Sequence, residues 1–347
     1  MKLGFIGSGR MTTQHALAAK SLGVEIMGVV GKTETPSYRT LGFQREFGCP
    51  IFQDVVALLD AKPDGLVVAV PMFDLYKVVY LIVSFNETIP ILVEKPFFTN
   101  TYQYASNHQM GNVYIAYNRR FYMNIYAALL DVLRRKEMRV AEIDARIVLP
   151  ASKLNSDSTE IGSLHNELLY RGTHLIDLLF LIADLIKFRT GETEFTWAIE
   201  KMKGGYVPKY NVSRSRFNSS FIFNDKVVPV FLTVATNTME YWCIRILFHD
   251  GSIFEIMPLE RSTYYHDFIH LNSDKGKVII DSDTVTHGTN FPFKIKPGIR
   301  FQMSEFISLI TTGEQSLFCN VGDGIRVITI VEKLMGLFTN KKEKGYV

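Results

Sequence analysis

Residues 3 to 12 constrain this chain more than any other segment. A short apolar strand, Leu3-Gly4-Phe5-Ile6, runs straight into the turn Gly7-Ser8-Gly9-Arg10-Met11-Thr12. A strand that breaks on two closely spaced glycines and opens a helix is the context of a dinucleotide-binding fingerprint. Gly7 permits the tight turn, and Gly9 lets the backbone approach a pyrophosphate at the helix N-terminus. Ser8, Arg10 and Met11 fall in the same turn and join the two glycines as cofactor-binding candidates. The third position of the fingerprint holds Thr12 rather than Gly or Ala, so helix and strand pack less closely there.

Strand and helix signals alternate from residue 1 to about 120, the pattern of βαβ units on a parallel sheet. Thr12 or Thr13 is the expected cap of the first helix, which stops near Gly23. Val24–Val30 reads as a second strand. Pro36 at a first helical position, Thr35 as cap and Gly48 as terminator frame a second helix. Leu66–Val70 is almost unbroken apolar and β-branched sequence, as a strand buried on both faces requires. A helix over Asp74–Phe85 and a strand over Ile89–Val93 complete the series.

That last strand ends on Glu94-Lys95-Pro96. In open α/β sheets the ligand crevice lies outside the carboxyl ends of the strands, so a lysine here stands beside the expected cofactor. A residue before proline is pushed toward extended geometry, and the Lys-Pro bond can be cis; either case fixes where Lys95 points. An ammonium beside a reacting hydroxyl stabilises the developing alkoxide during hydride transfer. The second strand ends in Gly31-Lys32 where an NAD site usually carries an acid for the ribose. A small residue followed by a cation favours the 2′-phosphate of NADP over NAD, with Glu34 serving the ribose of NAD as the alternative.

Bulk properties narrow the remaining choices. The 347 residues suffice for two domains, and 47% hydrophobic with 21% charged residues is ordinary for a folded soluble protein. A net charge of +3 with no basic stripe excludes the footprint of a nucleic-acid binder. Cys49, Cys243 and Cys319 form neither a CxxC pair nor a disulfide framework, which points to a reducing compartment. The strand beginning at Leu3 predicts no signal peptide, and the apolar stretch Leu175–Ile186 is too short for a membrane span. A cytoplasmic protein is expected, and no metal site, since no His/Cys/Asp/Glu cluster has ligand spacing.

In the second half, strand-like runs recur at Ile143–Leu149, Phe195–Ile199, Phe217–Phe223, Val228–Thr236, Trp242–Phe248, Ser252–Ile256 and Val278–Ile280. Turns such as His249-Asp250-Gly251-Ser252 argue a meander. Apolar residues at helical spacing mark Met303–Ile310 and Ile325–Leu337. His174 is expected to start a helix with Asp177 on the same face, and a histidine beside a carboxylate suits proton transfer near neutral pH. Tyr170 lies one turn before His174, where it can share the face, and Glu167 continues that stripe.

The order Gly7-x-Gly9, Val70-Pro71, Glu94-Lys95-Pro96, Asn118-Arg119-Arg120-Phe121, Gly172-Thr173-His174-x-x-Asp177 and Asp323-Gly324-Ile325-Arg326 resembles the glucose–fructose oxidoreductase/inositol dehydrogenase/MocA family along essentially the whole chain. The resemblance implies an α/β fold: an N-terminal Rossmann domain over 1–120, then a C-terminal α/β domain over 121–347 with a large, mostly antiparallel open sheet. Dimers or tetramers through that sheet are implied, as is packing of the last helix toward the first domain. So is NAD(P)-dependent hydride transfer at a secondary hydroxyl or ketone of a sugar, polyol or nucleotide-sugar. Pro71 and Glu94 then join the cofactor site. Lys95 contacts the reacting hydroxyl and the nicotinamide ribose, His174 is the acid/base group, and Asn118, Arg119, Arg120 and Asp177 lie near substrate.

Two features depart from the family pattern. Tyr170 stands where sugar-oxidising members carry an aspartate, and only about twenty residues separate Pro96 from Asn118. The alternatives on this scaffold are an NAD-dependent glycosidase and a non-catalytic cofactor-sensing regulator.

Overall fold

The computed structural model describes residues 1–33, 35–105, 110–122, 125, 139–150, 160–203, 214–224, 226–237, 241–256, 261–265, 277–281, 295–296, 298–314 and 318–343. The chain divides into two compact units: Met1–Phe121 with Asn290–Ile328, and Tyr122–Thr289 with Thr329–Val347.

The first unit begins β1 (Lys2–Ile6), α1 (Arg10–Ser21), β2 (Glu25–Val30), α2 (Tyr38–Phe47), β3 (Ile51–Phe52), α3 (Val55–Asp60), β4 (Gly65–Val68), α4 (Met72–Phe85) and β5 (Ile91–Val93). It continues with α5 (Tyr102–Ala105), β6 (Val113–Ile115) and a 3₁₀ turn, Asn118–Phe121. The strands lie in the order β3-β2-β1-β4-β5-β6, all parallel. The order reverses between β1 and β4, so this is a doubly wound sheet whose crevice opens at the carboxyl ends of that pair. β1, β4 and β5 are buried almost throughout, which explains their unbroken apolar sequences.

Helix caps differ from the expectation. Gly9, not Thr12 or Thr13, is the N-cap of α1, because the helix begins directly at the glycine turn. Ser37, not Thr35, caps α2, accepting from the Thr40 amide through its hydroxyl, and the helix starts beyond Pro36. Gly48 does end α2, in the left-handed conformation that a side chain resists.

Residues 290–328 return to the first unit. They contribute α8 (Ile299–Thr312), the short strand β15 (Cys319–Asn320) antiparallel to β6, and the start of α9 (Val321–Glu343). Phe318 locks this return into place: its ring centroid lies 5.1 Å from that of Phe121 and 5.6 Å from that of Tyr114. Such aromatic pairs add stabilisation beyond the area they bury.

The second unit is built on an eight-stranded sheet: β7 (Val140–Pro150), β8 (Thr196–Lys203), β9 (Arg214–Phe223), β10 (Lys226–Asn237), β11 (Tyr241–Phe248), β12 (Ile253–Ile256), β13 (Arg261–Tyr265) and β14 (Lys277–Asp281). The order β14-β13-β12-β11-β7-β10-β9-β8 is not a simple meander. β7 inserts between β11 and β10 and pairs parallel with β10, while every other pair is antiparallel. A continuous helical run precedes β8: α6 (Glu160–Glu167), a π-helical turn (Leu168–Gly172) and α7 (Thr173–Thr190). Every residue of α7 from Thr173 to Ala183 is buried, as expected for a helix apolar all round. His174 lies in the first turn of α7, directly after the π-helical turn.

Aromatic rings fill the core under β8 and β9. Trp197 lies 5.2 Å from both Phe180 and Phe221, centroid to centroid, and Phe195 packs on Phe221 and Phe223. The Trp197 indole N–H donates to Ser219 Oγ at 3.0 Å, and that hydroxyl donates to the Val230 carbonyl at 2.7 Å, so the indole N–H and the Ser219 hydroxyl are both satisfied within the packing. Phe221→Ala should lower unfolding stability by about 3–5 kcal/mol. Chemical denaturation measures it, and a loss near zero would contradict the central place of this ring.

Candidate active site

Gly7 adopts φ +100, and a Cβ there would lie 2.4 Å from the Ala69 carbonyl oxygen. Its N–H donates to the Val30 carbonyl at 2.9 Å, so the turn is pinned between the ends of β2 and β4. Gly9 faces open space: a Cβ there would meet nothing within 4 Å. No side chain caps α1, which leaves its first amides for an incoming anion. Thr12 replaces the third glycine without closing the crevice. It is fully buried, and its hydroxyl reaches back to the Ala69 carbonyl at 3.4 Å. A glycine that must be glycine, an open approach and an uncapped helix together fit a dinucleotide diphosphate.

At the end of β2, a Cβ on Gly31 would meet Thr40 Oγ1 at 2.9 Å. Thr40 Oγ1 also lies 3.0 Å from both Ser8 Oγ and Ser37 Oγ, so three hydroxyls gather beside the glycine turn and the end of β2. Lys32 is exposed, its ammonium 3.6 Å from Asp74 on the first turn of α4. Pro71 is the N-cap of α4. Glu34 lies outside the described residues.

Glu94-Lys95-Pro96 follows β5 directly, one strand beyond the switch point. The Glu94 amide donates to the Val68 carbonyl at 2.8 Å, and the Lys95-Pro96 bond is cis. His15 Nε2 on α1 donates to Glu94 Oε1 at 2.7 Å, with the imidazole 1% exposed. This bond joins the glycine-turn helix to the residue beside Lys95. Phe97 and Phe98 are buried immediately downstream, while Lys95 itself is partly exposed.

Asn118, Arg119 and Arg120 form the 3₁₀ turn after β6; Arg120 is buried, and Asn118 and Arg119 are half-buried. A residue that sequence reasoning did not find joins this group. The Lys296 backbone N–H donates to Gln14 Oε1 at 2.7 Å, and its ammonium lies 3.6 Å from Met11 Sδ in the glycine turn. Burial, then the charge of Arg10, hold its pKa below the usual lysine range; Glu94 opposes this and Arg119 adds to it.

Within the second unit, His174 is 7% exposed and Asp177, three residues on, is fully buried. The His174 ring lies 6.4 Å from that of Trp242. Tyr170 falls in the π-helical turn and is 54% exposed, with the Arg171 guanidinium 5.6 Å above its ring. Tyr170 and His174 thus differ in exposure, the tyrosine lying at the surface and the histidine in the interior. Glu167 is taken up by Arg171, whose Nε donates to it at 2.6 Å. All three cysteines are buried; desolvation pushes the Cys243 thiol up to about 11, which suppresses its thiolate. Among the described residues no group of three or more His, Cys, Asp or Glu is arranged to hold a metal ion, and no helix is long and apolar enough to cross a membrane.

Residues 1–112 match the family model described as oxidoreductase family, NAD-binding Rossmann fold. No curated protein is detectably similar to the chain in sequence. Solved structures share its fold over nearly the whole length. A dehydrogenase from Chromobacterium violaceum has 14% identity and a TM-score of 0.73, with 99% of this chain and 96% of that chain covered. A UDP-N-acetylglucosamine 3-dehydrogenase from Acidithiobacillus ferrooxidans has 16% identity and a TM-score of 0.67, with 97% of each chain covered. A myo-inositol dehydrogenase from Corynebacterium glutamicum has 13% identity and a TM-score of 0.63, with 98% and 97% covered.

The His15–Glu94 bond gives a direct test of how the turn and the lysine loop are held together. His15→Phe leaves a buried carboxylate short of one donor and should cost about 1–3 kcal/mol. Glu94→Gln keeps the acceptor oxygen and should cost less. Denaturant titration of both variants decides it; a His15→Phe protein as stable as wild type would show that the bond holds nothing in place.

Proposed function

We propose, from the premise that its first domain belongs to the glucose–fructose oxidoreductase/inositol dehydrogenase/MocA oxidoreductase family with its NAD-binding Rossmann fold, that this protein is an NAD(P)-dependent dehydrogenase of a secondary hydroxyl or ketone on a sugar or related polyol. The observation that carries the reading is Lys95 at the carboxyl end of β5, tied through Glu94 and His15 to the helix that opens on the glycine turn. Gly7, Ser8, Gly9, Arg10 and Met11 hold the diphosphate of the cofactor, and Pro71 and Glu94 border it. When bound, the nicotinamide supplies the hydride acceptor or donor.

The chain's own groups do the rest. In the oxidative direction the Lys95 ammonium hydrogen-bonds the substrate oxygen and stabilises the negative charge that grows there as the hydroxyl proton leaves. His174 takes that proton on a ring nitrogen and returns it in the reductive direction, with Asp177 on the same helix orienting the site. Asn118, Arg119 and Arg120 bind substrate, and a guanidinium suits a phosphate or carboxylate on a nucleotide-linked sugar. Tyr170, exposed in the π turn, offers a hydroxyl but not the charge of a carboxylate. Two structural relatives of low identity are named for action on UDP-N-acetylglucosamine and on myo-inositol, both carriers of secondary hydroxyls.

Lys95→Ala should lower turnover by about 10²–10³-fold, the size expected when one stabilising donor is lost from a developing oxyanion. Dinucleotide affinity should stay close to wild type. A panel of sugars and polyols with both cofactors, followed through the absorbance of the reduced nicotinamide, provides the assay. Undiminished turnover in the variant would remove Lys95 from the mechanism.

The cofactor we favour is NADP. Thr40 leaves no room for a side chain on Gly31, so no acid stands there to repel a 2′-phosphate. Lys32 is exposed, and its surface pair with Asp74 is the kind that is readily given up. Lys32→Glu should weaken NADPH binding roughly tenfold, about the value of one charge-assisted hydrogen bond, and leave NADH binding unchanged. Tighter binding of NADH than NADPH by the wild-type protein would overturn the preference.

A further inference from the structure

Lys296 is separated from the glycine turn by 285 residues of sequence, yet it is fixed against the turn at two points. Its backbone N–H donates to Gln14 Oε1 at 2.7 Å, which seats the segment before α8 on helix α1. Its ammonium lies 3.6 Å from the Met11 thioether, a weak acceptor that cannot neutralise a charge. Among the described residues no carboxylate lies within ion-pair distance of Lys296 or of Arg10. Arg10 and Arg119 are each close enough to act electrically on Lys296, whereas the single carboxylate acting on it, Glu94, already accepts from His15. Both arginines disfavour the charge on Lys296, and an anion beside its ammonium relieves that cost.

The position of the cluster identifies that anion. Met11 belongs to the turn whose open side, before Gly9 and the uncapped amides of α1, fits a diphosphate. We infer that Lys296 is a further cofactor-binding residue: its ammonium, delivered by the returning segment 290–328, pairs with the diphosphate of the dinucleotide. The first domain's fingerprint supplies neutral amides and the Arg10 guanidinium; Lys296 adds a second, compact formal charge. The half-burial of the ammonium strengthens the pairing, because the attraction is less screened than at an open surface.

This inference rests on the cofactor reading above, and the test separates the two. Calorimetric titration of wild type, Lys296→Met and Lys296→Arg is made with NADPH, NADH and ADP-ribose, which keeps the diphosphate but lacks nicotinamide. Lys296→Met should weaken both the preferred dinucleotide and ADP-ribose roughly tenfold, the value of one charge-assisted hydrogen bond, and Lys296→Arg should recover most of the loss. Thermal melting without ligand checks folding: Lys296→Met should melt no lower than wild type, since it removes a partly buried charge. ADP-ribose binding unchanged in Lys296→Met overturns the inference. So does a loss confined to the complete dinucleotides, which would move the ammonium's partner away from the diphosphate. If the wild-type protein binds neither dinucleotide, the cofactor reading itself has failed.

Discussion

The first unit depends on a close approach at its switch point. β1 and β4 lie side by side, and the chain leaving β1 must pass the end of β4 with only 2.4 Å between an imagined Gly7 Cβ and the Ala69 carbonyl. No side chain fits that gap, and φ +100 is a conformation that L-residues avoid. The turn is therefore held by sterics before any ligand is considered. Because it is pinned, Gly9 and the first amides of α1 face the crevice in one geometry.

A second tie extends this order from the turn to the lysine loop. β5 is buried on both faces and stops where Glu94 hydrogen-bonds Val68 through its amide and His15 through its carboxylate. Both partners of the side-chain bond are almost out of water, where an unpaired carboxylate is costly and a paired one is held firmly. Lys95 therefore emerges from a backbone fixed on its N-terminal side by two bonds and on its C-terminal side by the buried Phe97 and Phe98. Such support lets a flexible four-carbon side chain present its ammonium in a narrow range of positions.

What could be read from sequence follows from how local the signal is. The strands of the parallel sheet announce themselves because burial on both faces demands unbroken apolar runs, as in Leu66–Val68 and Ile91–Val93. Glycine turns and Glu94-Lys95-Pro96 are likewise contiguous. The caps Gly9 and Ser37 were missed because several candidates crowd each helix start, and only backbone geometry chooses between them. The strand β13, Arg261–Tyr265, carries too little apolar alternation to be seen alone. The insertion of β7 between β10 and β11 is a fact of pairing, not of pattern. The π-helical turn that holds Tyr170 is equally invisible to a reading that assumes 3.6 residues per turn.

The returning segment shows why a site residue can leave no local trace. Nothing in Phe293-Lys294-Ile295-Lys296-Pro297-Gly298 distinguishes Lys296 from Lys294 two residues earlier. Lys296 takes its place only when α8 packs against α1 and Gln14 captures its amide. That packing is driven by apolar contacts elsewhere: Ile299, Met303 and Phe306 enter the same core as Leu3, Phe5 and Ala16. Hydrophobic burial thus brings Lys296 to the glycine turn, and a hydrogen bond sets its register. The charge follows from folding that is indifferent to charge, so the sequence signal for Lys296 lies in the apolar residues after it rather than in the lysine itself.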